Sequence, residues 1–275
     1  MLPVILPLLP EDSIQYVEPF GGGLSVFWSK RPHQNEVVND IDGQLTNFYW
    51  QVKTNFHELQ TLIQATLHSE VLYKEAAIVL DDETQSPVRR AWAYWCRTQM
   101  AFSFILHGGF AFGELGCGLK TANKRDDFTE KYMVRLREVE ILNRDAVEVI
   151  KLKDNSENTF FYLDPPYVSS NQGGYAGYTK EHFVQLLETL AAIKGKFLLS
   201  SYPEPELMEF REKYGWKKKD IRQIVSVTGK REETKYKTEC LTWNYVEPNQ
   251  QTSLFDFSEL ELEPEQMQEE NNSPI

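Results

Sequence analysis

The sequence predicts an α/β fold built on an open, largely parallel, Rossmann-like sheet. Residues 15–52 follow the order strand, helix, strand, helix within a short span, which implies that the neighbouring strands run parallel. Apolar strands recur at 139–142, 159–163 and 196–200, and an amphipathic helix at about 180–194 precedes the last of them. Strands that alternate with helices are typical of a sheet covered by helices.

A run of glycines separates the first predicted strand from its helix. Gln15–Glu18 is a short strand that leads into Pro19–Gly23, and Leu24–Trp28 has the pattern of a helix start. Glu36–Asp40 is the second strand, and a helix follows from Leu45. Asp40 is therefore expected where the second strand of the sheet ends.

The C-terminal part of the chain predicts two more strands and a tail. The strands are expected near 221–227 and 238–245. Beyond them the chain is rich in Gln, Asn and Glu, a composition that buries too little apolar surface to offset the entropy of ordering. We therefore expect residues 246–275 to form a disordered acidic tail.

The composition argues against several classes of protein. Hydrophobic residues make up 41% of the 275 residues, the mean hydropathy is -0.47, and no apolar run reaches the ~20 residues that span a bilayer. The apolar N-terminus lacks the basic region of a signal peptide. Three cysteines without a C-x-x-C pair argue against a disulfide framework or a zinc site. We expect a cytoplasmic protein with no membrane segment and no metal ion.

The charge is unevenly distributed. The net charge of -12 disfavours a nucleic-acid partner, but residues 256–275 contain seven acids and no base, so the rest of the chain carries only -5. Residues 211–237 contain ten basic residues against four acids. Such runs are either a solvated surface or a contact for nucleic acid, and the charge alone leaves both readings open.

The first motif with a chemical meaning is the loop Glu18–Gly23. Its glycines allow a sharp turn and a close approach of the backbone to a ligand. Asp40 lies 19 residues after Gly21, at the end of the next strand, where a carboxylate can accept two ribose hydroxyls. The glycine run by itself also fits a plain turn. Together, the loop and the carboxylate favour a cofactor that contains adenosine, without saying which one.

The second motif is Asp164-Pro165-Pro166-Tyr167, directly after the strand 159–163. Open α/β sheets bind their ligands at this end of a strand. Asp164 and the carbonyl of Pro165 can each accept one hydrogen of an aromatic amino group, and the two prolines hold that carbonyl stiffly. Tyr167 offers a face on which a base can stack. A proline turn that closes a strand is the structural alternative.

Five segments carry a resemblance to a known family. Glu18–Gly23, Asn39–Ile41, Asn143–Asp145 and Asp164–Tyr167 occur in the order found in the Dam-type class of DNA adenine-N6 methyltransferases, and Lys237–Tyr245 is similar to a late motif of that family. The resemblance spans roughly residues 2 to 245. It argues against a Rossmann dehydrogenase, and the chain has no Pro-Cys pair of the kind that cytosine-C5 enzymes use.

The resemblance implies an S-adenosylmethionine-dependent enzyme that acts on double-stranded DNA. It implies that Asp40 holds the ribose, that Asp145 accepts the N6 hydrogen of the cofactor's adenine, and that Asp164–Tyr167 hold a flipped target adenine during a direct in-line methyl transfer. The implied cofactor-binding set is Glu18, Phe20, Gly21, Gly23, Asp40, Asp145 and Asp164. A cytosine-N4 methyltransferase and a catalytically silent DNA-binding relic remain alternatives.

The resemblance also divides the chain. It implies a methyltransferase core at 1–55 and 138–245 and a helical target-recognition insert at 56–137. Within the insert, the aromatic residues are expected to form a small core, and basic residues on a flexible, glycine-flanked loop are expected to contact phosphates or base edges. The aromatic candidates are Trp92, Trp95 and Phe102. The candidate DNA contacts are Lys120, Asn123, Lys124 and Arg125 in the insert, and Lys217, Lys218 and Lys219 in the later basic run.

The chain departs from the family in two places. The family's Lys-x-x-Gly-Gly-Lys stretch does not precede the helix expected at Leu2–Pro10, so we expect part of the cofactor pocket to be missing. Either the start is misplaced, or the protein is truncated, or its affinity for the cofactor is weakened. The Phe-Asn-x-Pro pattern of the family's recognition insert is not evident either. Specificity for GATC therefore does not follow from the resemblance.

The tail contains one apolar motif. Gln251–Phe255 resembles the short Gln-Leu-Ser-Leu-Phe peptide with which bacterial replication proteins bind the sliding clamp, with Thr252 in place of the usual leucine. A leucine–phenylalanine pair in a disordered segment suits the groove of a partner. The alternative is that Leu254 and Phe255 pack back on the body of the protein.

Overall fold

A seven-stranded sheet forms the centre of the computed structural model, which describes residues 1–102, 106–112, 116–167, 177–224 and 236–248. The strands are β1 (Gln15–Glu18), β2 (Asn35–Asn39), β3 (Glu140–Leu142), β4 (Thr159–Leu163), β5 (Lys196–Ser201), β6 (Lys217–Ile224) and β7 (Tyr236–Trp243). The helices are α1 (Leu2–Ile5), α2 (Ser25–Ser29), α3 (Gly43–Thr54), α4 (Phe56–Gln64), α5 (Glu70–Asp81), α6 (Pro87–Gln99), α7 (Cys117–Asp126), α8 (Lys131–Leu136), α9 (Ala146–Lys153), α10 (Lys180–Ala192) and α11 (Pro205–Tyr214).

The order of the strands confirms the predicted Rossmann-like α/β fold. Across the sheet it is β3-β2-β1-β4-β5-β7-β6, and the first five strands are parallel. Strand β7 runs antiparallel to both of its neighbours. The order reverses between β1 and β4, and doubly wound sheets bind their ligands at such a switch point, beyond the carboxyl ends of the strands.

Helices cover both faces of the sheet because side chains alternate along each strand. Tyr16, Phe160 and Tyr162 belong to one buried cluster, which also contains residues of α3, α4, α5, α6 and α8. Val17 and Phe161 belong to a second cluster, with residues of α9, α10 and α11. Helices α4, α5, α6 and α8, within residues 56–137, therefore share a hydrophobic core with one face of the sheet.

Two expectations about the elements were only partly right. The strands predicted at 15–18 and 159–163 coincide with β1 and β4, whereas β6 begins at Lys217 and β7 at Tyr236, earlier than expected. The charged start of β6 lacks an apolar pattern because it lies at the edge of the sheet, where lysines are common. The helices α9 and α11 were not predicted, and the N-terminal helix ends in a single 3-10 turn at Leu6–Leu8.

Two of the three aromatic residues expected in a small core of the insert are buried, but they lie in the core that the insert shares with the sheet. Trp92 and Trp95 are buried, whereas the expectation for Phe102 was wrong because its side chain is 59% exposed. Ala101 pairs with Phe110 in an isolated antiparallel bridge and is buried. Within the described ranges, no helix has the length and apolarity needed to cross a membrane.

Candidate active site

Four carboxylates lie at one edge of the sheet. Glu18 ends β1, Asp40 follows β2, Asp145 follows β3, and Asp164 follows β4. These four strands are parallel neighbours, so their carboxyl ends meet at the same edge. The structure therefore brings the acidic residues of both predicted motifs together.

The glycine loop is held against the end of β2. The N–H of Gly21 donates to the carbonyl oxygen of Asn39 at 2.7 Å, and a Cβ on Gly21 would lie 2.9 Å from that same oxygen. Gly22 has a φ of 46°, and its N–H donates to the carboxylate of Asp40 at 2.9 Å. The hydroxyl of Tyr49 donates to the carbonyl of Gly22 at 2.6 Å. Close approach and backbone conformation thus require glycine at both positions.

Gly23 has no comparable requirement. Its φ is not in the left-handed region, and among the described residues a Cβ there would meet only the Ser25 hydroxyl oxygen, at 3.8 Å. Sequence analysis chose Gly21 and Gly23 and missed Gly22. Three consecutive glycines carry no signal that identifies which of them faces the neighbouring strand.

Asp40 is a buried acceptor beside an apolar surface. Its side chain is 7% exposed, and burial raises the pKa of the carboxyl group above its ordinary value. One carboxylate oxygen accepts the N–H of Gly22 and the other accepts that of Asp42 at 2.9 Å. A carboxylate has about four lone-pair sites, so further hydroxyl donors can be accommodated. The next residue, Ile41, is 69% exposed.

Asn39 and Asn143 connect the loops around this edge. The side-chain amide of Asn39 donates to the carbonyls of Pro19 at 2.8 Å and Arg144 at 3.0 Å, and its oxygen accepts the N–H of Arg144 at 2.9 Å. Asn143 donates to the carbonyl of Asp40 at 2.8 Å. Both asparagines belong to the sequence motifs, but their role could not be predicted because only the folded chain shows their partners.

Asp145 caps a helix at the edge of this region. One of its carboxylate oxygens accepts the N–H groups of Val147 at 2.9 Å and Glu148 at 3.2 Å, at the start of α9. The ring of Tyr178 lies edge-on to Phe20, with 6.2 Å between centroids. Burial, and then the charge of Asp145, raises the pKa of Tyr178, whose buried hydroxyl has no hydrogen-bond partner in the described part of the chain. Sequence analysis did not identify Tyr178.

Glu18 faces the protein interior. Its carboxylate is buried and accepts the hydroxyl of Tyr16 at 2.6 Å, and burial raises its pKa to about 8. The ammonium group of Lys30 lies 3.9 Å from the centroid of the Tyr16 ring and pairs with Glu36, which also pairs with Arg135 of α8. No sequence signal indicated this cluster, because the local pattern does not show that Lys30 and Glu36 pair and Arg135 lies 99 residues beyond Glu36.

The residues that follow β4 are more open to solvent. Asp164 is exposed, and its carboxylate accepts the hydroxyl of Tyr167 at 2.9 Å. That hydroxyl also lies 3.4 Å from the Ser200 hydroxyl. The rings of Tyr167 and Tyr202 are stacked, with 4.3 Å between centroids and 27° between planes. Pro165 is buried. Because Tyr202 covers one face of Tyr167, a base can stack only on the opposite face.

The basic residues of the insert lie on a helix, so the expectation of a flexible loop was wrong. Lys120, Asn123, Lys124 and Arg125 belong to α7, which begins at Cys117 despite the glycine at position 118. Arg125 donates to the carbonyl of Thr66 at 2.8 Å and so holds α7 to the end of α4. The other three side chains are exposed.

Lys217, Lys218 and Lys219 are exposed on the edge strand β6. They occupy its amino-terminal half, and the register places Lys217 level with Leu198, in the middle of β5. Three strand spacings, or about 14 Å, separate β6 from β4. The structure does not bring these lysines together with the four carboxylates.

Comparisons with known proteins agree with this geometry. A family model described as D12 class N6 adenine-specific DNA methyltransferase matches residues 1–237. The type II methyltransferase M1.LlaDCHI of Lactococcus lactis subsp. cremoris is 27% identical in an alignment of 242 residues that covers 76% of this chain and 79% of that protein. The DNA N-6-adenine-methyltransferase of Escherichia phage P1 is 24% identical over 246 residues, covering 83% of this chain and 32% of that protein.

A solved structure, the precorrin-6y C5,15-methyltransferase of Geobacter metallireducens GS-15, is similar with a TM-score of 0.36 and 11% identity, over 86% of this chain and 82% of that one. This likeness is too loose to support an argument. The fold assignment rests on the strand order itself.

Proposed function

This chain belongs to the D12 class N6 adenine-specific DNA methyltransferase family, and we propose that it moves the methyl group of S-adenosylmethionine to the N6 amino group of an adenine flipped out of double-stranded DNA. One observation carries the residue roles in this proposal. Asp164–Tyr167 follow β4 directly beside the glycine loop of β1, at the switch point of the sheet. A donor held by the loop and an amine held by Asp164 would therefore be neighbours.

The residues at the ends of β1, β2 and β3 fit this cofactor. Asp40 keeps acceptor capacity for ribose hydroxyls, and the exposed Ile41 provides an apolar surface next to it. The backbone of Gly21 comes close to β2, where a side chain would collide, and Gly22 has a positive φ that favours glycine. Asp145 uses one carboxylate oxygen for its helix cap, which leaves the other for an adenine amino group. When bound, S-adenosylmethionine supplies an electrophilic methyl group on its sulfonium.

The residues after β4 fit an exocyclic amine. The lone pair of an aromatic amino group is delocalised into the ring, so the nitrogen is a poor nucleophile. Asp164 accepts one N–H and the Pro165 carbonyl accepts the other, which favours a pyramidal nitrogen whose lone pair points away from both acceptors. The face of Tyr167 opposite Tyr202 stacks on the flipped base. No covalent nucleophile is required.

DNA contacts are proposed for the exposed residues of α7. Lys120, Asn123 and Lys124 lie on one short helix of the insert and are exposed, as contacts to phosphates or base edges require. Arg125 contributes by anchoring that helix through its bond to Thr66.

The decisive experiment is methyl transfer with the purified chain. Protein, duplex DNA and methyl-labelled S-adenosylmethionine are incubated, and the digested nucleosides are separated. We expect the label in N6-methyladenine. Label in N4-methylcytosine would support the cytosine alternative, and retained DNA binding without any label would support a silent relic. Long-read sequencing of DNA from cells that express the protein then identifies the recognition sequence.

We also propose that the tail tethers the protein to a sliding clamp through Gln251–Phe255, which lies outside the described residues. The motif supports this proposal, and tethering would raise the local concentration of a weak, acidic DNA binder near duplex DNA. Fluorescence polarisation of a labelled peptide of residues 250–257 against purified clamp tests it. We expect micromolar binding that Leu254→Ala with Phe255→Ala removes. Absence of saturable binding below about 100 μM, roughly -5.5 kcal/mol, would refute it.

A further inference from the structure

The stacked pair of Tyr167 and Tyr202 has a consequence for how a base is received. We propose that Tyr202 is a positioning residue: it covers the rear face of Tyr167 and holds the ring so that only the opposite face receives the flipped adenine. This inference rests on the proposed function, because it assumes that Tyr167 stacks on the target base. Tyr202 itself touches Tyr167 and is assigned no contact with the reacting atoms.

The sheet brings the rings of Tyr167 and Tyr202 close together. Strands β4 and β5 are parallel neighbours in which Leu163 pairs with Leu199. Tyr167 lies four residues beyond the first of these and Tyr202 three residues beyond the second. Tyr202 directly follows β5, so its backbone position is set by the sheet. The support for Tyr167 thus comes from a rigid element.

Tyr167 is fixed at two points. Its hydroxyl donates to the Asp164 carboxylate at 2.9 Å and lies 3.4 Å from the hydroxyl of Ser200, a residue that is almost fully buried. Its rear face is stacked at 4.3 Å on Tyr202. A ring held at its tip and on one face has lost its rotational freedom before the base arrives. Pre-organisation of this kind reduces the entropy lost when the base stacks.

Loss of the rear ring predicts a specific kinetic defect. Without Tyr202, the ring of Tyr167 regains freedom and stacking on the flipped base weakens, by about three- to tenfold for a lost aromatic contact of this kind. We expect a lower kcat and a smaller fraction of bound DNA in which the target adenine is flipped out. Binding of S-adenosylmethionine and of the intact duplex stays at the wild-type level, because neither depends on Tyr202 in this proposal.

The experiment compares variants that keep or remove the ring. Tyr202→Phe keeps it, whereas Tyr202→Leu and Tyr202→Gln remove it and replace it with an apolar or a polar side chain of similar reach, so that the conclusion does not depend on the folding of one variant. Tyr214→Leu is the matched control, since Tyr214 is also a partly exposed ring stacked on a neighbour, Trp216, at 5.6 Å and 23°. The readouts are kcat, KM for DNA, and the fluorescence of 2-aminopurine placed at the target adenine.

We expect both ring-removing variants to lose about three- to tenfold in kcat and in the 2-aminopurine signal, with KM within about twofold, while Tyr202→Phe and Tyr214→Leu behave like wild type. Wild-type kcat and fluorescence in either folded ring-removing variant would overturn the proposal. A loss of kcat and fluorescence in Tyr202→Phe would overturn it as well. If the wild-type protein itself does not methylate adenine, the proposed function fails, and that result is distinguishable from a failure confined to Tyr202.

Discussion

The two halves of the candidate site differ in how their carboxylates are held. In the half formed by β1 and β2, Glu18 and Asp40 are 2% and 7% exposed and accept hydrogen bonds from the protein itself. In the half formed by β4, Asp164 is exposed, and its carboxylate accepts a hydrogen bond from the hydroxyl of Tyr167. One half is therefore part of the interior, whereas the other half is open to solvent.

Substitutions should therefore act differently in the two halves. A change in the buried half removes groups that hold loops together, so it affects stability and cofactor binding at once. A change at Asp164 should leave the fold intact, because the residue is exposed, and should remove the acceptor of the Tyr167 hydroxyl together with the contact proposed for the reacting amine. The difference between the two halves is tested by measuring the rate of methyl transfer, the affinity for the cofactor and the free energy of unfolding separately.

The largest effect is expected for Asp164→Ala in the exposed half. Methyl transfer should fall by at least about 10²- to 10³-fold, since an oriented acceptor at the reacting amine is lost, while S-adenosylmethionine binding stays within about tenfold. Tritium transfer to DNA and titration calorimetry measure the two quantities. The exposed Glu212, replaced by Ala, is the control. Wild-type activity of the Asp164 variant would rule out the proposed role.

In the buried half, Asp40→Ala should weaken S-adenosylmethionine binding by about 1.5–3 kcal/mol, the range for hydrogen bonds to a charged group. The N–H groups of Gly22 and Asp42 also lose their acceptor, so the loop loosens as well. DNA binding should change little. Unchanged cofactor affinity in calorimetry would show that the carboxylate has another role.

A matched pair of glycines sharpens the contrast within a single loop. Gly21→Ala should destabilise the protein by about 1–3 kcal/mol, because its Cβ meets the Asn39 carbonyl oxygen, which belongs to the backbone and cannot move aside easily. Gly23→Ala should change the free energy of unfolding by about 0.5 kcal/mol or less, since its surroundings are open. Denaturant unfolding measures both. Equal effects would contradict the loop geometry.

Glu18 predicts a pH dependence of stability. Its pKa is 4.5 in the unfolded chain and about 8 when buried, so over this range the folded protein keeps a proton that the unfolded chain has lost. The contribution of Glu18 to stability is therefore fully present below pH 4.5 and is lost as the pH rises to 8, by up to about 1.4 kcal/mol per pH unit.

Neighbouring groups define the best window for that measurement. Burial lowers the pKa of His33 to about 4 from 6.5, which gives the opposite slope up to pH 6.5, and the pKa of Lys30, lowered to about 8, acts only above pH 8. Between pH 6.5 and 8 the wild-type protein should lose stability and Glu18→Gln should not. Parallel curves for the two proteins would show that Glu18 is ionised in the folded state.

The smallest effect is expected away from both halves of the site, at Lys217, Lys218 and Lys219. Replacing all three by Gln should flatten the plot of log affinity for DNA against log salt concentration by about 0.9 for each lysine that contacts a phosphate. Their position on the edge strand, away from the four carboxylates, favours a small change. An identical slope would show that they only protect the edge of the sheet from pairing.

Local patterns predicted the sheet well, and they placed the acidic residues of both motifs at the carboxyl ends of neighbouring strands. β1 and β4 were correct to the residue because short apolar runs end at a glycine loop and at a proline pair. The helix α7 was missed because glycines and lysines suggest a loop, whereas contacts of Arg125 with α4 hold it. Tyr202 and the Lys30–Glu36 cluster were missed since their partners are brought together only by the sheet.

The antiparallel strand β7 has a consequence for the order in which the protein is built. Strand β6 is synthesised before β7 but pairs in the sheet through β7 alone among the described strands. Until about residue 243 has left the ribosome, β5 therefore keeps an open edge beside its apolar residues Phe197–Leu199. Nascent chains with such an edge can pair with other chains. Among the described strands, β7 is the last to emerge, and its pairing with β5 closes this edge.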